Sequence, residues 1–534
     1  MRPNKLLLLS LLGCAPAMMA QSAIDAYNVS STDLYGTARF QSMAGAFTAL
    51  GGDISTMNQN PAGIGVYRSN DFNLSFDVDM QSAKTNAYGN KTTLDKTFAD
   101  FTNIGYVGAF SINNEVMPYL SFGVSYNRIA SFNRRYSGYF NSINSSLSNY
   151  IAGISNGIAP EDLLFDNKSS YNPYFDSDCD WLSILSYNGY LINPVGNSDQ
   201  YNGLYQNGTI ADAQFEVWEK GHIDEYAFNL GGNIMNTVYW GVGVGITDLS
   251  YRSKVFYDES LGGALIPDQS GNNTITGAAY YRLDNEKSIS GTGFNFKFGV
   301  IVKPINELRF GAAIHTPTWY KLNHQYYGDL YSQFAVNADD QPFLTSEQGT
   351  PMADFEWRLR SPWRFTLGAA GVIGGRGIIS VDYERVQYNN MSISTPNSWG
   401  DSFQPNDYLN GDIKNYFQAA NIVRIGAEFR ATPWLSLRAG YSYQSSDVKE
   451  EAYDGYEEVF TSGTDPSFTF DNTTQYITAG VGLRYKSFYL DMAYVHKRQE
   501  SEYHAFTNYG NVVSPKASLT NNNNKLVFTL GYKF

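Results

Sequence analysis

Arg309, Arg364, Arg424, Arg430, Arg438 and Arg484 all fall on the polar faces of alternating stretches, with Asp382, Glu384, Glu428 and Asp491 among them. Guanidinium and carboxylate groups gathered at that density do one of two things. They neutralise one another in a buried ion-pair network, or one guanidinium is left to grip a ligand carboxylate through its two-pronged fork. His315, directly before Thr316-Pro317, is either a ligand contact or a histidine held by a hydrogen bond in a wall. Enzyme chemistry has no comparable support. His222, His315, His324, His496 and His504 include no pair at helical spacing, and no cysteine cluster exists, so no metal-ligand set is readable. Gly241-Val242-Gly243-Val244-Gly245 is no phosphate loop, because its glycines alternate along a strand and no helix follows. No local Ser/His/Asp pattern stands out. The expectation is a protein that is not an enzyme and uses no cofactor or metal.

The stretch from Gly36 to Arg68 departs from the alternation seen elsewhere. Ala44, Phe47 and Leu50 recur at helical spacing, and Gly51-Gly52 before Asp53 predicts a helix stop. Asn60-Pro61-Ala62 reads as a second helix start: an Asn that caps free N–H groups, then a Pro whose missing donor costs nothing there. Gly63 and Gly65 end that turn early. Two small, Ala- and Gly-rich pieces of this kind suit close packing inside something else.

The rest of the chain supplies the container. Leu526, Phe528, Leu530, Tyr532 and Phe534 alternate with Lys525, Val527, Thr529, Gly531 and Lys533; similar patterns run near Val242, Ile425 and Leu437. The faces opposite the apolar ones are largely Gly, Ser, Thr and Arg, as expected of a crowded polar lumen, and the apolar faces end in aromatics. About fourteen strands are predicted, centred near Leu74, Gly105, Phe122, Phe228, Val242, Phe296, Gly311, Phe365, Val381, Ile425, Leu437, Ala479, Leu490 and Phe528. Short links alternate with long Asn/Ser/Asp/Gly-rich insertions, the longest from about residue 131 to 222. Within it, Asn144 to Ile158 is the best helix candidate. Its stripe of Leu147, Ile151, Ile154 and Ile158 either folds over a barrel mouth or belongs to a surface loop. Both chain ends fall on the short-turn side, which puts the N-terminal pieces and the C-terminus at the periplasmic face.

Composition agrees. The 534 residues are only 16% charged but hold 41 Tyr, 33 Phe and 49 Gly. Residues 1–20 read as a secretory signal, with Arg2 and Lys5 before an apolar run and small-residue cleavage sites at Ala15, Ala17 and Ala20. Leu11-Leu12-Gly13-Cys14 is the competing lipoprotein reading. Loss of residues 1–20 takes the formal charge from −14 to −16, 35 basic against 51 acidic residues, which disfavours nucleic acid as a partner. Cys179 is then the sole cysteine, so no intrachain disulfide forms. Past the signal, no apolar run approaches the ~20 residues of a spanning helix.

Ala44-Gly45-Ala46-Phe47-Thr48-Ala49-Leu50-Gly51-Gly52-Asp53 followed by Asn60-Pro61-Ala62 resembles the N-terminal segment of the FadL/TodX family, outer-membrane transporters of long-chain fatty acids and other hydrophobic compounds. Weaker echoes are Arg309-Phe310-Gly311, Trp363-Arg364-Phe365 and Arg424-Ile425-Gly426-Ala427-Glu428. The resemblance covers about Asp33 to Phe534 except the long loops. It implies an all-β fold: a transmembrane antiparallel β-barrel of about 14 strands in the bacterial outer membrane, residues 71–534, with a hatch of residues 21–70 in the lumen. Ligand captured among the outer loops would leave sideways into the bilayer, after a hatch shift or through a kink in the third strand, Met117 to Ile129. Alternation there falters at Asn127-Arg128-Ile129, as a bulge or as an ordinary strand end. Asn60, Pro61, Ala62, Gly51, Gly52 and Asp53 become gating candidates, or simply pack the hatch. Arg309, His315, Arg364, Arg424 and Arg438 become contacts to ligand or hatch. Implied partners are a hydrophobic small molecule, outer-membrane lipid and lipopolysaccharide, and the barrel-assembly machinery. The alternative is the same barrel as a protein-binding shuttle or accessory subunit, its partner docked on the extracellular loops.

Overall fold

A computed structural model describes residues 21–534 apart from 113, 167, 270–272, 398–399 and 401; the expected signal segment and Cys14 lie outside the described residues. Fourteen strands form the wall: β1 Asp71–Ala87, β2 Asn90–Ser111, β3 Tyr119–Ser131, β4 Ile210–Ile234, β5 Val238–Pro267, β6 Thr274–Ile305 and β7 Leu308–His315. They continue as β8 Arg364–Ile373, β9 Gly377–Gln387, β10 Ala419–Thr432, β11 Leu435–Gln444, β12 Phe468–Tyr485, β13 Phe488–His504 and β14 Lys516–Lys533. Each pairs antiparallel with its neighbours, and β1 closes the circle against β14 from Asp71↔Lys533 to Asn86↔Ser518. Every expected strand centre lies on one of these strands. Closure removes free strand edges, which is what allows a sheet to stand in a bilayer.

Period-two alternation decides which way each face points. Phe76, Phe101, Phe228, Ile246, Phe298, Leu367, Ile425, Ile477 and Leu530 point outward and are exposed. Immersing such a residue in hydrocarbon rather than water is worth about 1.5–3 kcal/mol, so a belt of this size belongs in lipid. Trp434, Tyr485, Phe488, Tyr532 and Phe534 form an exposed aromatic rim on the short-turn side. Among the described residues, no helix is long and apolar enough to cross a membrane.

At the opposite end the long connections are folded. The predicted helix is there as α3, Leu147–Ser155, capped by the Ser146 hydroxyl. Leu147 and Ile151 pack with Trp181 and Leu185 of the helix Trp181–Asn188, with Tyr281 of β6, and with Leu330 of the strand Trp319–Ala335 and Phe506 of the β13–β14 connection. The stripe therefore covers the mouth.

Residues 21–67 run down inside the barrel. Their elements are α1 Ala23–Asn28, α2 Ala38–Ser42 and two 3₁₀ turns, Ile54–Asn58 and Pro61–Val66. Two expectations need correction. The helix lies at 38–42 and not across Ala44–Leu50, because Ala44 (φ 52°) and Gly45 (φ 74°) turn left-handed and the Gly45 N–H donates back to the Phe40 carbonyl. And α1 sits at the long-loop end, not the periplasmic face. Its Tyr27 stacks on Phe417 at 4.7 Å and donates to Asp447 Oδ1 at 2.9 Å, while Asp25 pairs with Lys287 at 3.2 Å. The apolar side of α1 fills a socket among Leu249, Trp357, Leu409 and Phe470 that would otherwise be an empty cavity in the upper barrel.

Candidate functional site

The lower half of the lumen is occupied by residues 37–66, held by close backbone approach. Ten strands carry a lumen-facing glycine against this segment: Gly105, Gly123, Gly231, Gly241, Gly299, Gly311, Gly368, Gly426, Gly440 and Gly480. A Cβ on Gly440 would stand 2.5 Å from the Met43 carbonyl carbon, one on Gly426 2.7 Å from the Met43 oxygen, and one on Gly368 2.8 Å from Thr48 Cβ. On β9 and β14 polar groups replace the glycine: Asp382 Oδ2 accepts from Thr48 N at 2.9 Å, and Thr529 Oγ1 from Ala38 N at 2.7 Å. Met43, Ala44, Ala46, Phe47 and Ala49 are fully buried.

The sequence-derived residues converge on this seat. Asn60, 0% exposed, donates through Nδ2 to the Thr48 carbonyl at 2.7 Å and to Val300 of β6 at 3.4 Å, and its Oδ1 accepts from Ala62 N at 3.1 Å. Pro61 opens the second 3₁₀ turn, as its fixed φ favours. Asp53 accepts from Thr37 Oγ1 and Ser55 N, tying the two halves of the segment together. Gly51 and Gly52 both have positive φ, and their neighbours are clamped: Arg309 donates to the Leu50 carbonyl at 2.7 Å and Arg39 to that of Gly52 at 3.1 Å. His315 donates from Nε2 to the Gln59 carbonyl at 2.8 Å.

The arginines form the network reading, not free forks. Glu384 holds Arg364 and Arg424, each at 2.6 Å. Glu428 Oε2 holds Arg438 at 2.7 Å and Arg39 of the segment at 2.9 Å, and Arg438 reaches Asp491 at 2.6 Å. Arg430 and Arg484 lie exposed near the short turns. Arg39, the one member contributed by the N-terminal segment, has no local sequence signal; its partner is 389 positions away.

Above this seat the wall is interrupted. The β2–β3 ladder stops at Asn103↔Asn127, although β2 runs on to Asn90, paired there with β1 alone. β3 bulges between Arg128 and Ala130, ends at Ser131, and resumes as the strand Arg134–Ile143, which pairs with β4 but not β2. The interruption begins beside Ser75, within the apolar belt, since Ser75 pairs with Asn103. Arg128 spans its lower part, binding Asp224 on β4 at 2.8 Å and Asp100 on β2 at 3.2 Å, and higher up Asn90 Nδ2 donates to the Tyr139 carbonyl at 2.9 Å and Asn141 Nδ2 to Asn90 Oδ1 at 3.2 Å. Behind the interruption lies a cavity of about 120 Å³, bounded by Leu94–Lys96 of β2, Ala130–Arg135, and Tyr27–Tyr35 of the N-terminal segment. The faltering alternation at Asn127-Arg128-Ile129 marked this place in the sequence; Asp100 and Asp224 carried no such mark.

No family model and no curated protein matches the chain. Solved structures do. A Pseudomonas aeruginosa FadL homologue aligns over 94% of this chain and 99% of its own, at 14% identity and a TM-score of 0.51. A deltaS2 mutant of the TodX monoaromatic hydrocarbon channel aligns over 93% and 98%, at 13% identity and 0.50. The Pseudomonas putida toluene transporter TodX aligns over 94% and 99%, at 14% and 0.47. With its lipid-facing belt and closed wall, the chain is a fourteen-stranded outer-membrane β-barrel with the fold of the FadL homologue.

Proposed function

We propose that this barrel transports hydrophobic small molecules across the outer membrane, without an enzymatic step, and delivers them sideways through the β2–β3 interruption. The observation that carries the reading is the loss of pairing above Asn103↔Asn127, inside the apolar belt, with a cavity directly behind it. A molecule leaving there passes from protein to bilayer without crossing water, a saving of about 0.8 kcal/mol for every CH2 kept out of it. Residues 37–66 act as a hatch that stays seated. Ten glycine contacts and the Arg39–Glu428 pair oppose its movement as a body. Capture falls to the folded loops at the mouth. Hydrophobic small molecules are the class proposed; long-chain fatty acids are the cargo implied by the sequence resemblance alone.

The test uses a Cys179→Ser background with Asp100→Cys and Arg128→Cys, reconstituted in liposomes. Oxidation is expected to bridge the interruption and stop uptake of a labelled amphiphile, and reductant to restore it. Uptake that persists through a confirmed bridge removes the lateral route. A second reading, a protein-binding shuttle, has one observation in its favour: the folded loop cap exposes Ile210, Phe175 and Tyr456 at 74%, 58% and 83%. A co-purifying protein together with no uptake in the same liposomes would favour it.

A further inference from the structure

The cavity behind the wall interruption is not an apolar pocket. Asp33, Asp79, Glu219, Asp447 and Asp471 stand in its lining against Arg134 and Lys497, while Lys96 and Arg135 are exposed at its edge. The two inner cations are already committed, and Arg135 binds Glu216 at 2.6 Å. Lys497 binds Asp33 at 3.0 Å, and Arg134 binds Glu219 at 2.5 Å and Asp471 at 3.5 Å. Among the described residues Asp79 forms no direct ion pair, and the Lys525 ammonium acts on it only at longer range. Asp79 is 1% exposed, its Oδ2 accepts two long amide contacts of 3.3 Å from Gln81 and Asn523, and its Oδ1 has no hydrogen-bond partner. Asp77, on the same face of β1, also has an unpartnered oxygen. Lys525, a neighbouring ammonium, is drawn the other way: it lies 3.7 Å from the Tyr35 ring centre and 3.9 Å from Asp33. A buried carboxylate oxygen with no donor is costly. A donor brought by a ligand would complete it.

The aromatic lining points to the same chemistry. Tyr27, Tyr35, Tyr251, Tyr388 and Tyr476 border the cavity, and ring faces attract cations. Outside the β-strands, Asp447 is also unsettled. Burial first, then the charge of Asp471, pushes its carboxyl up to about 8. A carboxylate head brought to Asp79 would meet a second carboxylate, Asp33, and the lining ammonium outside the ion pairs, Lys96, is exposed at the cavity's edge. A cationic head would meet an unfilled acceptor in a lining rich in tyrosine.

We propose that this cavity binds the head of a cationic amphiphile, an alkyl amine and not an alkyl carboxylate, on Asp79, with the tail directed through the β2–β3 interruption past Leu94 and Phe132. The proposal rests on the transport reading above and narrows its cargo. Equilibrium dialysis of the full chain in lipid nanodiscs at pH 7, against empty discs, tests it with radiolabelled octylamine, octanoate and octanol. Octylamine is expected to bind at least tenfold more tightly than octanoate. Asp79→Asn is expected to erase most of that preference while octanol binding stays within twofold, which also reports that the variant is folded. Octanoate binding as well as octylamine, or a preference untouched by Asp79→Asn in folded protein, overturns the amine assignment and leaves transport standing. Binding of none of the three above empty discs sinks both. If the variant fails to assemble, the wild-type preference alone decides.

Discussion

Three side chains show how the N-terminal segment is fixed. Asn60 reaches a carbonyl on either side of it and caps the turn that follows, so Asn60→Ala leaves the buried Thr48 carbonyl and the Ala62 N–H without these partners. Each such group costs about 1–3 kcal/mol. Amide hydrogen exchange across residues 37–66 should quicken in that variant, while β5 and β6 exchange as before. Glu428 joins Arg39 to Arg438, and Glu428→Ala leaves the Arg39 guanidinium without its carboxylate in the lumen while Arg438 keeps Asp491. Breaking a buried pair in this way is worth about 3–5 kcal/mol, and a lowered midpoint of the heat-induced mobility shift on cold electrophoresis should report it. At Gly440 the limit is steric. Gly440→Leu has no room against Met43 and Ala44, so the barrel should assemble with the segment displaced and open to protease. A protected segment in that variant would contradict the account of its seating.

At the level of elements, β3 is the part built to be imperfect. Its bulge next to Arg128 turns the strand away from β2, and the Arg128 bridge to Asp100 and Asp224, with Asn90 higher up bonded to Tyr139 and Asn141, ties the two margins together in place of a ladder. The N-terminal end of the segment has a condition of its own. Tyr27 donates to Asp447, whose acid form is favoured by burial and by Asp471, with Tyr388 stacked edge-on against Tyr27. A carboxyl pushed up to about 8 holds its proton in the folded protein where the unfolded chain has lost it. Its contribution is therefore complete below the ordinary carboxyl range and fades as pH rises through about 8. Residues 23–32 should exchange faster at pH 9 than at pH 6, after correction for intrinsic rates, and Asp447→Asn should flatten that difference. A difference that survives Asp447→Asn would place the switch elsewhere.

For the molecule as a whole, wall and filling are separable. All fourteen wall ladders are made among residues 71–534, so the wall does not depend on the segment for closure. A chain lacking residues 21–67 should still insert, and should conduct ions in a planar bilayer where the full chain is nearly silent. Equal conductance would show that the segment does not block the lumen. Much of this was legible from residue order. Alternation such as Leu526 to Phe534 states which side faces lipid, because side chains on a strand have no other period available. The short and long connections give the barrel its direction, and Asn60-Pro61 marks a turn from local capping chemistry alone.

Other features were beyond any window of sequence. Lumen glycines were visible strand by strand, but that ten of them meet one buried segment depends on register, which is set by pairing between residues hundreds of positions apart. The same holds for Arg39 and Glu428, and for α1 rising to the loops, since its socket exists only after distant strands and loops have assembled. Local order fixed the periodicity and the faces, because those are properties of a single strand. The seat, the interruption and the half-satisfied Asp79 came from closure of the ring, because only closure decides which faces stand opposite one another and which acceptors are left without a donor.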